Sequence, residues 1–364
     1  MIAIEKKRKN EFQIEYQKEC GSIELYSLNK IFMNNIINDK NTILILELYP
    51  CHYECTPGFS KYFIDLGYNV DIIMNQMGES TFRFFKDFQK IRIFFYNNIL
   101  EIQKKAYNLS VVFSNYKFIL YETTELNKFE LYQTLNELNI NKSIFVFHHI
   151  DYVNSIFFKN KLNKYQILSL GNFSIGTQVN PHYFGFFKPK TKNRVTKFFI
   201  TSTIKRNYHF LVSAANKLKN ENVKFHVNVI GKSKTFNKSM IPENIINDFT
   251  FKYGISYSEL YKEVYNCDFI IINLIPNNQE DLKFKKIRVT GSVQLAYGFL
   301  KPTLINKDFA GFYNFNNTNS INLNFTKAMR DAINMKSRQY RKMKENLSLL
   351  SKEIYINNHR NKLI

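Results

Sequence analysis

The sequence predicts an α/β protein with two Rossmann-like domains and a C-terminal helical tail, and three observations support this prediction. The chain has 364 residues, which is long for one hydrophobic core. Strand-like apolar runs alternate with helix-like segments, as in parallel sheets with right-handed crossovers. Residues 287–305 contain a turn, a short helix pattern, a glycine and a strand pattern in that order.

The first predicted domain spans residues 1–187. It opens with a strand, a loop and a helix, because an apolar run is followed by Pro57 and Gly58, and the helix pattern stops at Gly67. Its predicted helix is 59–66, and its predicted strands are 41–49, 69–74, 111–113, 118–121 and 143–147.

The second predicted domain spans residues 188–325, and the basic segment 184–197 is interpreted as the linker that leads into it. Its predicted strands are 195–202, 225–230, 249–253 and 268–274, and its predicted helices are 207–218 and a segment from the cap Ser256 to 265. In residues 326–364, apolar residues recur at helical spacing between basic ones, which predicts a helical tail that packs back on the body. Contact with a membrane surface is the alternative for this stripe.

The chain is strongly basic, with 51 Lys and Arg against 30 Asp and Glu and a formal net charge of +21. A positive field attracts nucleic acid, anionic lipid or phosphorylated substrates, and charge alone does not choose among them. No apolar run reaches the ~18 residues that span a bilayer. No apolar segment follows the basic residues 6–9 as in a secretory signal, so we expect a cytoplasmic protein.

The four cysteines, Cys20, Cys51, Cys55 and Cys267, are too few and too scattered for a disulfide framework. Cys51, His52 and Cys55 are close in sequence, but no second ligand pair follows at the spacing that a tetrahedral metal site needs. We therefore predict no metal site and interpret this segment as a loop.

The residues Thr290, Gly291 and Ser292 open the helix pattern within 287–305. Helix N-termini carry unpaired N–H groups and partial positive charge, so they suit phosphate. Gly291 lets the backbone approach a ligand, and the two hydroxyls can donate to phosphate oxygens. The alternative is an ordinary crossover in which Thr290 or Ser292 only caps the helix.

Four segments of the second half together resemble the glycosyltransferases of the GT-B type. They are a strand, basic turn and helix at 198–215, a strand ending in glycine at 227–232, a strand and glycine before a Ser-x-x-Glu-Leu-Tyr helix at 251–261, and an Ala-x-Gly segment closed by proline at 294–302. The resemblance covers about a third of the chain. It implies GT-B architecture, with a nucleotide-sugar donor in the second domain, an acceptor in the first, and chemistry in the cleft.

The resemblance also implies which residues contact the donor. Lys205 and Arg206 match the basic turn, and fixed cations of this kind stabilise the charge left on the departing phosphate. The alternative is that both are solvated basic residues at a helix start. The other implied donor contacts are Gly231, Lys232, Ile255, Tyr257, Thr290, Gly291, Ser292 and Gln294.

The sequence departs from the family pattern in its acidic residues. Many retaining members have two glutamates eight positions apart, and here those places hold Lys286 and Gln294. Glu280 and Asp281 lie upstream in a predicted loop and substitute only if that loop folds back. No Asp-x-Asp motif is present. We therefore expect a metal-independent transferase without a cofactor, in which cations and a helix dipole act on the diphosphate.

An inverting reaction needs a base that takes the proton of the acceptor hydroxyl. The candidates, predicted at strand ends of the first domain, are His52, Glu54, His148, His149 and Asp151. Histidine titrates near neutrality and suits general-base catalysis, so His148 or His149 is the first choice and Glu54 the second. The alternative for each histidine is a structural hydrogen-bonding role.

The sequence thus predicts a glycosyltransferase that moves a sugar from a nucleotide-diphosphate donor to a glycan or lipid-linked surface-polysaccharide acceptor. Its basic tail and N-terminus suggest an anionic membrane surface, the inner face of the membrane, as a partner. Two alternatives stand. One is a non-enzymatic nucleic-acid or polyanion-binding protein, although no nucleic-acid module is visible. The other is an inactive GT-B relative in which Gln294 marks lost catalysis.

Overall fold

The computed structural model of the chain describes residues 23–33, 41–49, 52–78, 81, 91–124, 129–150, 166–171, 176–179, 181, 191–201, 206–231 and 235–354. The chain forms two compact units, here called unit 1 and unit 2; the described residues up to 181 belong to unit 1 and those from 191 to 354 to unit 2. Each unit is built on its own sheet.

Unit 1 contains an eight-stranded parallel sheet with the strand order β1-β4-β3-β2-β5-β6-β7-β8. The strands are β1 (Glu24–Ser27), β2 (Thr42–Glu47), β3 (Asn69–Asn75), β4 (Ile91–Tyr96), β5 (Phe118–Tyr121), β6 (Ser143–Phe147), β7 (Gln166–Ser169) and β8 (Thr177–Gln178). The α-helices are α1 (Thr56–Asp65), α2 (Ile99–Lys104), α3 (Ala106–Phe113) and α4 (Phe129–Asn136). Short 3₁₀ helices form at Leu28–Phe32 and Ile140–Lys142.

Unit 2 contains a six-stranded parallel sheet with the order β11-β10-β9-β12-β13-β14. The strands are β9 (Thr196–Thr201), β10 (Phe225–Gly231), β11 (Phe249–Tyr253), β12 (Phe269–Ile272), β13 (Thr303–Ile305) and β14 (Ser320–Asn322). The α-helices are α5 (His209–Asn220), α6 (Tyr257–Asn266), α7 (Gln279–Leu282), α8 (Gly291–Gly298), α9 (Lys307–Ala310), α10 (Phe325–Asn334) and α11 (Ser337–Ile354). Four 3₁₀ helices lie at Lys238–Met240, Glu243–Asp248, Lys283–Lys285 and Gly311–Tyr313.

The central strands are buried because helices cover parallel sheets on both faces. Every residue of β2 and of β12 is buried. Helix starts follow local rules. Pro57 lies in the first turn of α1, where its missing N–H costs nothing. Ser256 and Glu259 form a capping box at the start of α6, as the cap predicted at Ser256 requires.

The C-terminal helices α10 and α11 contribute to the core of unit 2. Met329 and Tyr340 are buried in the same cluster as Phe198 and Phe269 of the sheet. The Tyr340 hydroxyl donates to the Asp268 carbonyl oxygen at 3.0 Å. Within the described part of the chain, no helix combines the length and apolarity that crossing a membrane requires.

Both sheets reverse their strand order at one place, between β2 and β5 in unit 1 and between β9 and β12 in unit 2. Successive strands are added on one side of the first strand of such a pair and then on the side of the second strand, so the boundary between the two strands is a topological switch point. Open α/β sheets bind ligands outside the carboxyl ends of the strands at this point. Each unit therefore has one edge where function is expected.

The α/β fold with two Rossmann-like domains and a helical C-terminal end is confirmed. The predicted strands at 118–121, 143–147 and 249–253 have the observed bounds. The strand predicted at 111–113 is wrong, because these residues form the last turn of α3. The loop predicted around Glu280 and Asp281 is also wrong, since both lie in the short helix α7. The predicted linker lies outside the described residues from 184 to 190.

Candidate functional site

The switch point of unit 2 is bridged by a hydrogen bond between the segments that follow β9 and β12. The Arg206 guanidinium, from the first segment, donates through Nη1 to the Asn273 carbonyl oxygen at 2.8 Å. Asn273 directly follows β12, and its own amide donates through Nδ2 to the Asn207 carbonyl oxygen at 3.1 Å. These two bonds hold the carboxyl ends of the neighbouring strands together and fix a cation at this edge.

Arg206 is buried rather than solvated, with 7% of its side chain exposed. Its guanidinium carbon lies 5.0 Å from the centre of the Phe284 ring, and its Nε lies 3.9 Å from Oδ1 of Asp281. Burial lowers the pKa of the guanidinium, and the charge of Asp281 opposes that change. Asp281 lies in α7, and its Oδ2 accepts the Ile275 N–H at 3.0 Å.

The start of α8 reaches the same edge through two contacts. Ser292 Oγ lies 3.1 Å from Oγ1 of Thr201, the last residue of β9. The backbone of Thr290 hydrogen-bonds the Tyr313 hydroxyl, which donates to the Phe284 carbonyl oxygen at 2.6 Å. Thr290 is the N-cap residue of α8, but its side chain makes no cap hydrogen bond, and Gly291 is exposed.

The other predicted donor contacts follow β10 and β11 or lie within α8. Gly231 ends β10, and its carbonyl oxygen accepts the Gly254 N–H at 3.0 Å. Gly254 has a φ of +64°, so this turn needs a residue that tolerates the left-handed region. Ile255 and Tyr257 follow it and are half-buried, whereas Gln294 is buried in α8. Lys205 and Lys232 lie outside the described residues.

The switch point of unit 1 is bridged by side chains. Glu47 ends β2, and its Oε2 accepts the hydroxyl hydrogen of Thr123, two residues beyond the end of β5, at 2.6 Å. Glu122 lies beside it, and its Oε1 accepts the Thr56 hydroxyl at 2.9 Å. Both glutamates are fully buried. We call Glu47, His52, Glu54, Glu122, His148 and His149 the carboxyl–imidazole cluster.

Burial shifts the ionisation of both buried glutamates. It raises the pKa of Glu47 to about 7, while the Thr123 hydroxyl and the charge of His52 act in the opposite direction. Burial and the nearby charge of Glu47 raise the pKa of Glu122 well above its usual range. Burial therefore favours the protonated form of both carboxyl groups, and Glu47 changes its charge near neutral pH.

His148 and His149 directly follow β6. His148 is 4% exposed, and its Nε2 lies 3.0 Å from the Glu122 carbonyl oxygen, an acceptor, so Nε2 carries the hydrogen. Burial and the neighbouring imidazoles lower the pKa of His148 well below its usual range. His148 is thus a neutral imidazole with a defined tautomer.

His52 lies in the loop between β2 and α1, against both of these histidines. Its ring centre is 4.2 Å from that of His148 and 6.1 Å from that of His149. Its Nδ1 lies 3.5 Å from Oε1 of Glu54, and the exposed fractions of the two side chains are 21% and 15%. The cluster therefore joins a partly exposed imidazole and carboxylate to a buried interior. Asp151, the fifth candidate from the sequence, lies outside the described residues.

Neither a protein-family model nor a curated protein sequence matches this chain. Solved structures do match it. A glycosyltransferase from Rickettsia africae ESF-5 is 15% identical, with 87% of this chain and 94% of that one covered and a TM-score of 0.52. Anabaena Alr3699/HepE in complex with UDP-glucose is 11% identical, with 88% and 98% covered and a TM-score of 0.54, and its complex with UDP has a TM-score of 0.53.

The chain has the GT-B glycosyltransferase fold. The resemblance stated from the sequence is thereby confirmed for the fold. The two Rossmann-like sheets of the GT-B fold give the two switch points described above.

Two members of the carboxyl–imidazole cluster, Glu47 and Glu122, were not predicted from the sequence. A signal for Glu47 was present, because it is the single charged residue in the apolar run of β2 and a charge in a buried strand needs a reason. Glu122 follows β5 as His148 follows β6, so the same strand-end argument applied to it.

Gly58 lies in the first turn of α1, beside the last described residue before the linker. A Cβ at this position would lie 2.6 Å from the backbone carbonyl carbon of Pro181, closer than real Cβ atoms approach. Only glycine fits here without a shift of the backbone. The contact places the helix that follows the His52 loop directly against Pro181.

No group of three or more His, Cys, Asp or Glu side chains in the described ranges is arranged to hold a metal ion. Cys55 is buried, and burial raises the pKa of its thiol. Cys51 lies outside those ranges.

Proposed function

We propose that this chain is a glycosyltransferase that moves a sugar from a nucleotide-diphosphate donor to a glycan or lipid-linked surface-polysaccharide acceptor. The observation that carries the proposal is the Arg206 guanidinium, buried at the switch point of unit 2 at the edge that the start of α8 also reaches. Such an edge has two sources of positive charge for a diphosphate, a cation and a helix N-terminus.

Arg206 suits the chemistry because it is held before any ligand arrives. Breaking the bond between the anomeric carbon and the diphosphate oxygen leaves the electron pair and a negative charge on the diphosphate. A guanidinium already bound to Asn273 and packed on Phe284 need not reorient as that charge develops. Asp281 balances part of the charge of Arg206.

The likeness to Anabaena Alr3699/HepE, solved with UDP and with UDP-glucose, makes a uridine diphosphate sugar the first donor to test. We propose that the donor contacts are the residues implied by the sequence resemblance. They are Lys205, Arg206, Gly231, Lys232, Ile255, Tyr257, Thr290, Gly291, Ser292 and Gln294.

The acceptor side of the proposal is the carboxyl–imidazole cluster, in which His52 is the proposed base. The proton of the acceptor hydroxyl passes to the imidazole, and the oxygen's electron pair forms the new bond to the anomeric carbon. His52 is more exposed than His148, and Glu54 beside Nδ1 favours the tautomer with the lone pair on Nε2. His148 and His149, the first choices from the sequence, and Glu54, the second, then lie around the base.

A thermal-shift titration with UDP, GDP, CDP and ADP tests the donor site. A ligand at 100 times its Kd stabilises the folded protein by ~2.7 kcal/mol, which raises the Tm measurably. We expect a response to UDP that is lost in Arg206→Ala and reduced in Ser292→Ala. The quantity compared is the ligand-induced change in Tm, because removal of a buried arginine also lowers the Tm without ligand.

Arg330→Ala is the matched control. Arg330 is an exposed arginine of α10 that pairs with Glu221 in unit 2, and its loss should leave the response to UDP unchanged. Equal loss in Arg206→Ala and Arg330→Ala would contradict a specific donor site. No response to any nucleotide would favour the polyanion-binding alternative, and nucleotide binding without donor hydrolysis would favour the inactive relative.

We also propose that the transferase acts at an anionic membrane surface. Arg338, Arg341, Lys342 and Leu349 are exposed on α11 at helical spacing, and Leu349 is 60% exposed. Electrostatic attachment of this kind weakens as salt screens the charges. Co-sedimentation with phosphatidylserine vesicles should fall with added salt and in Arg338→Gln/Arg341→Gln. Equal binding at low and high salt would refute it.

A further inference from the structure

The buried carboxyl group of Glu47 has no role in the proposed proton transfer, yet it contacts two neighbours of the base. Its Oε1 accepts the N–H of Tyr49, and its Oε2 accepts the hydroxyl hydrogen of Thr123. Tyr49 stacks on His52 with the ring centres 5.7 Å apart. Glu47 therefore fixes the backbone of a residue whose ring lies against His52.

The second neighbour is reached through Thr123. The Thr123 hydroxyl has one hydrogen, which it gives to Glu47, so towards His148 Nε2 at 3.4 Å it can only accept. The Nε2 hydrogen of His148 thus points to the Thr123 hydroxyl and to the Glu122 carbonyl oxygen. This arrangement sets the tautomer of His148, the ring whose centre lies 4.2 Å from that of His52.

Glu47 also acts on His52 through its charge. Positive charge on His52 favours the ionised form of Glu47. Interaction free energies between two titrating groups are reciprocal, so an ionised Glu47 favours the protonated form of His52 by the same amount. A base that must accept a proton is helped by a carboxylate that becomes ionised near neutral pH.

We propose that Glu47 is the positioning residue for His52, since its carboxylate orders two rings that contact His52, those of Tyr49 and His148, and supplies the negative charge against which His52 takes up the acceptor proton. The inference deepens the proposed function and rests on it. Glu47 touches neither donor nor acceptor in this role.

Other titratable groups surround Glu47 and His52. They are Glu122 after β5, His148 and His149 after β6, Glu54 and Cys55 beside His52, and Tyr96 at the end of β4. Glu122 matters most as a comparison, because it is equally buried and also accepts one threonine hydroxyl. Burial and the charge of Glu47 raise its pKa well above the usual range, so Glu122→Gln replaces a group whose neutral form is favoured, whereas Glu47→Gln removes a group that ionises near pH 7.

The primary experiment is an NMR titration of the histidine rings in the full-length chain without ligand. The chain has seven histidines, so ring signals can be assigned by single substitution. We expect the His52 signal of the wild type to follow two coupled ionisations and that of Glu47→Gln to follow one. Glu122→Gln should keep both. An unchanged His52 titration in folded Glu47→Gln would overturn the proposal.

Thr123→Val provides a second test that keeps the charge and removes the hydroxyl. The infrared band of the protonated carboxyl reports Glu47, since the band is absent in Glu47→Gln. Loss of a hydrogen bond to the ionised form raises a carboxyl pKa, so the band should persist to higher pH in Thr123→Val. A Glu47 band that titrates as in the wild type would show that Thr123 does not link Glu47 to His148.

Release of UDP from UDP-glucose, with water in place of the acceptor, connects the titration to the reaction. We expect Glu47→Gln to lower kcat by about ten-fold and to simplify the acid limb of the pH profile from two ionisations to one. A lower kcat with an unchanged pH profile would show that Glu47 has only a structural role, and it would overturn the proposal. Coupled titration in a protein that binds no nucleotide would instead refute the proposed function.

Discussion

Replacing Glu47 with glutamine should change how the stability of unit 1 depends on pH. Burial raises the pKa of Glu47 from 4.5 to about 7. Between these values the folded protein holds a proton that the unfolded chain has released, so the wild type loses stability as the pH rises through this window. Above pH 7 both states are ionised and the loss stops. Glutamine does not titrate and does not show this loss.

The size of the effect follows from the two pKa values. At about 1.4 kcal/mol per pH unit, the interval from 4.5 to about 7 corresponds to about 3 kcal/mol. The free energy of unfolding of Glu47→Gln, relative to the wild type, should therefore rise by about 3 kcal/mol between pH 4.5 and 7 and then level off. The relative value removes the contributions of titrating groups that do not interact with Glu47.

Urea denaturation followed by far-UV circular dichroism measures this difference, since the chain has no tryptophan to report by fluorescence. Glu122→Gln is the control. Burial raises the pKa of Glu122 well above its usual range, so the difference between Glu122→Gln and the wild type should also rise with pH. A difference between Glu47→Gln and the wild type that stays constant from pH 4.5 to 8 would refute the reasoning.

Three further predictions concern other parts of the molecule. Lys301→Met should cost about 2–3 kcal/mol in urea denaturation, because the buried Lys301 Nζ donates to the Tyr265 and Cys267 carbonyl oxygens at 2.7 Å. Asn222, with a φ of +57°, should gain up to ~1 kcal/mol as glycine and lose about 1 kcal/mol as alanine in the same assay. Release of UDP from UDP-glucose should be unchanged by excess EDTA, and a loss restored by Mg²⁺ would contradict a metal-independent mechanism.

Local patterns predicted the fold where apolar runs were long or well bounded. The apolar runs at 143–147 and 249–253 were predicted as strands with the observed bounds. The prediction of a strand at 111–113 was wrong because a short β-branched run has no periodicity that separates a strand from a helix. Leu109 and Phe113, four positions apart, are buried on one helical face, whereas Val111 is 46% exposed.

The site was predictable only in part, because its contacts depend on which strands are neighbours. The bond between Glu47 and Thr123 joins residues 76 positions apart, and the bond from Arg206 to Asn273 spans 67. Strand-end position suggested the histidines after β6. Both sites form because β2 is a neighbour of β5 and β9 is a neighbour of β12. No local sequence pattern predicts these neighbours.

The close contact between Gly58 and Pro181 has a consequence for local unfolding. Because no side chain separates them, α1 cannot move outward without releasing the chain at Pro181, and Pro181 cannot detach without exposing the buried first turn of α1. The two segments, distant in sequence, should open as one cooperative unit. Any fluctuation that frees the end of unit 1 would then also loosen the loop that carries His52 and Glu54.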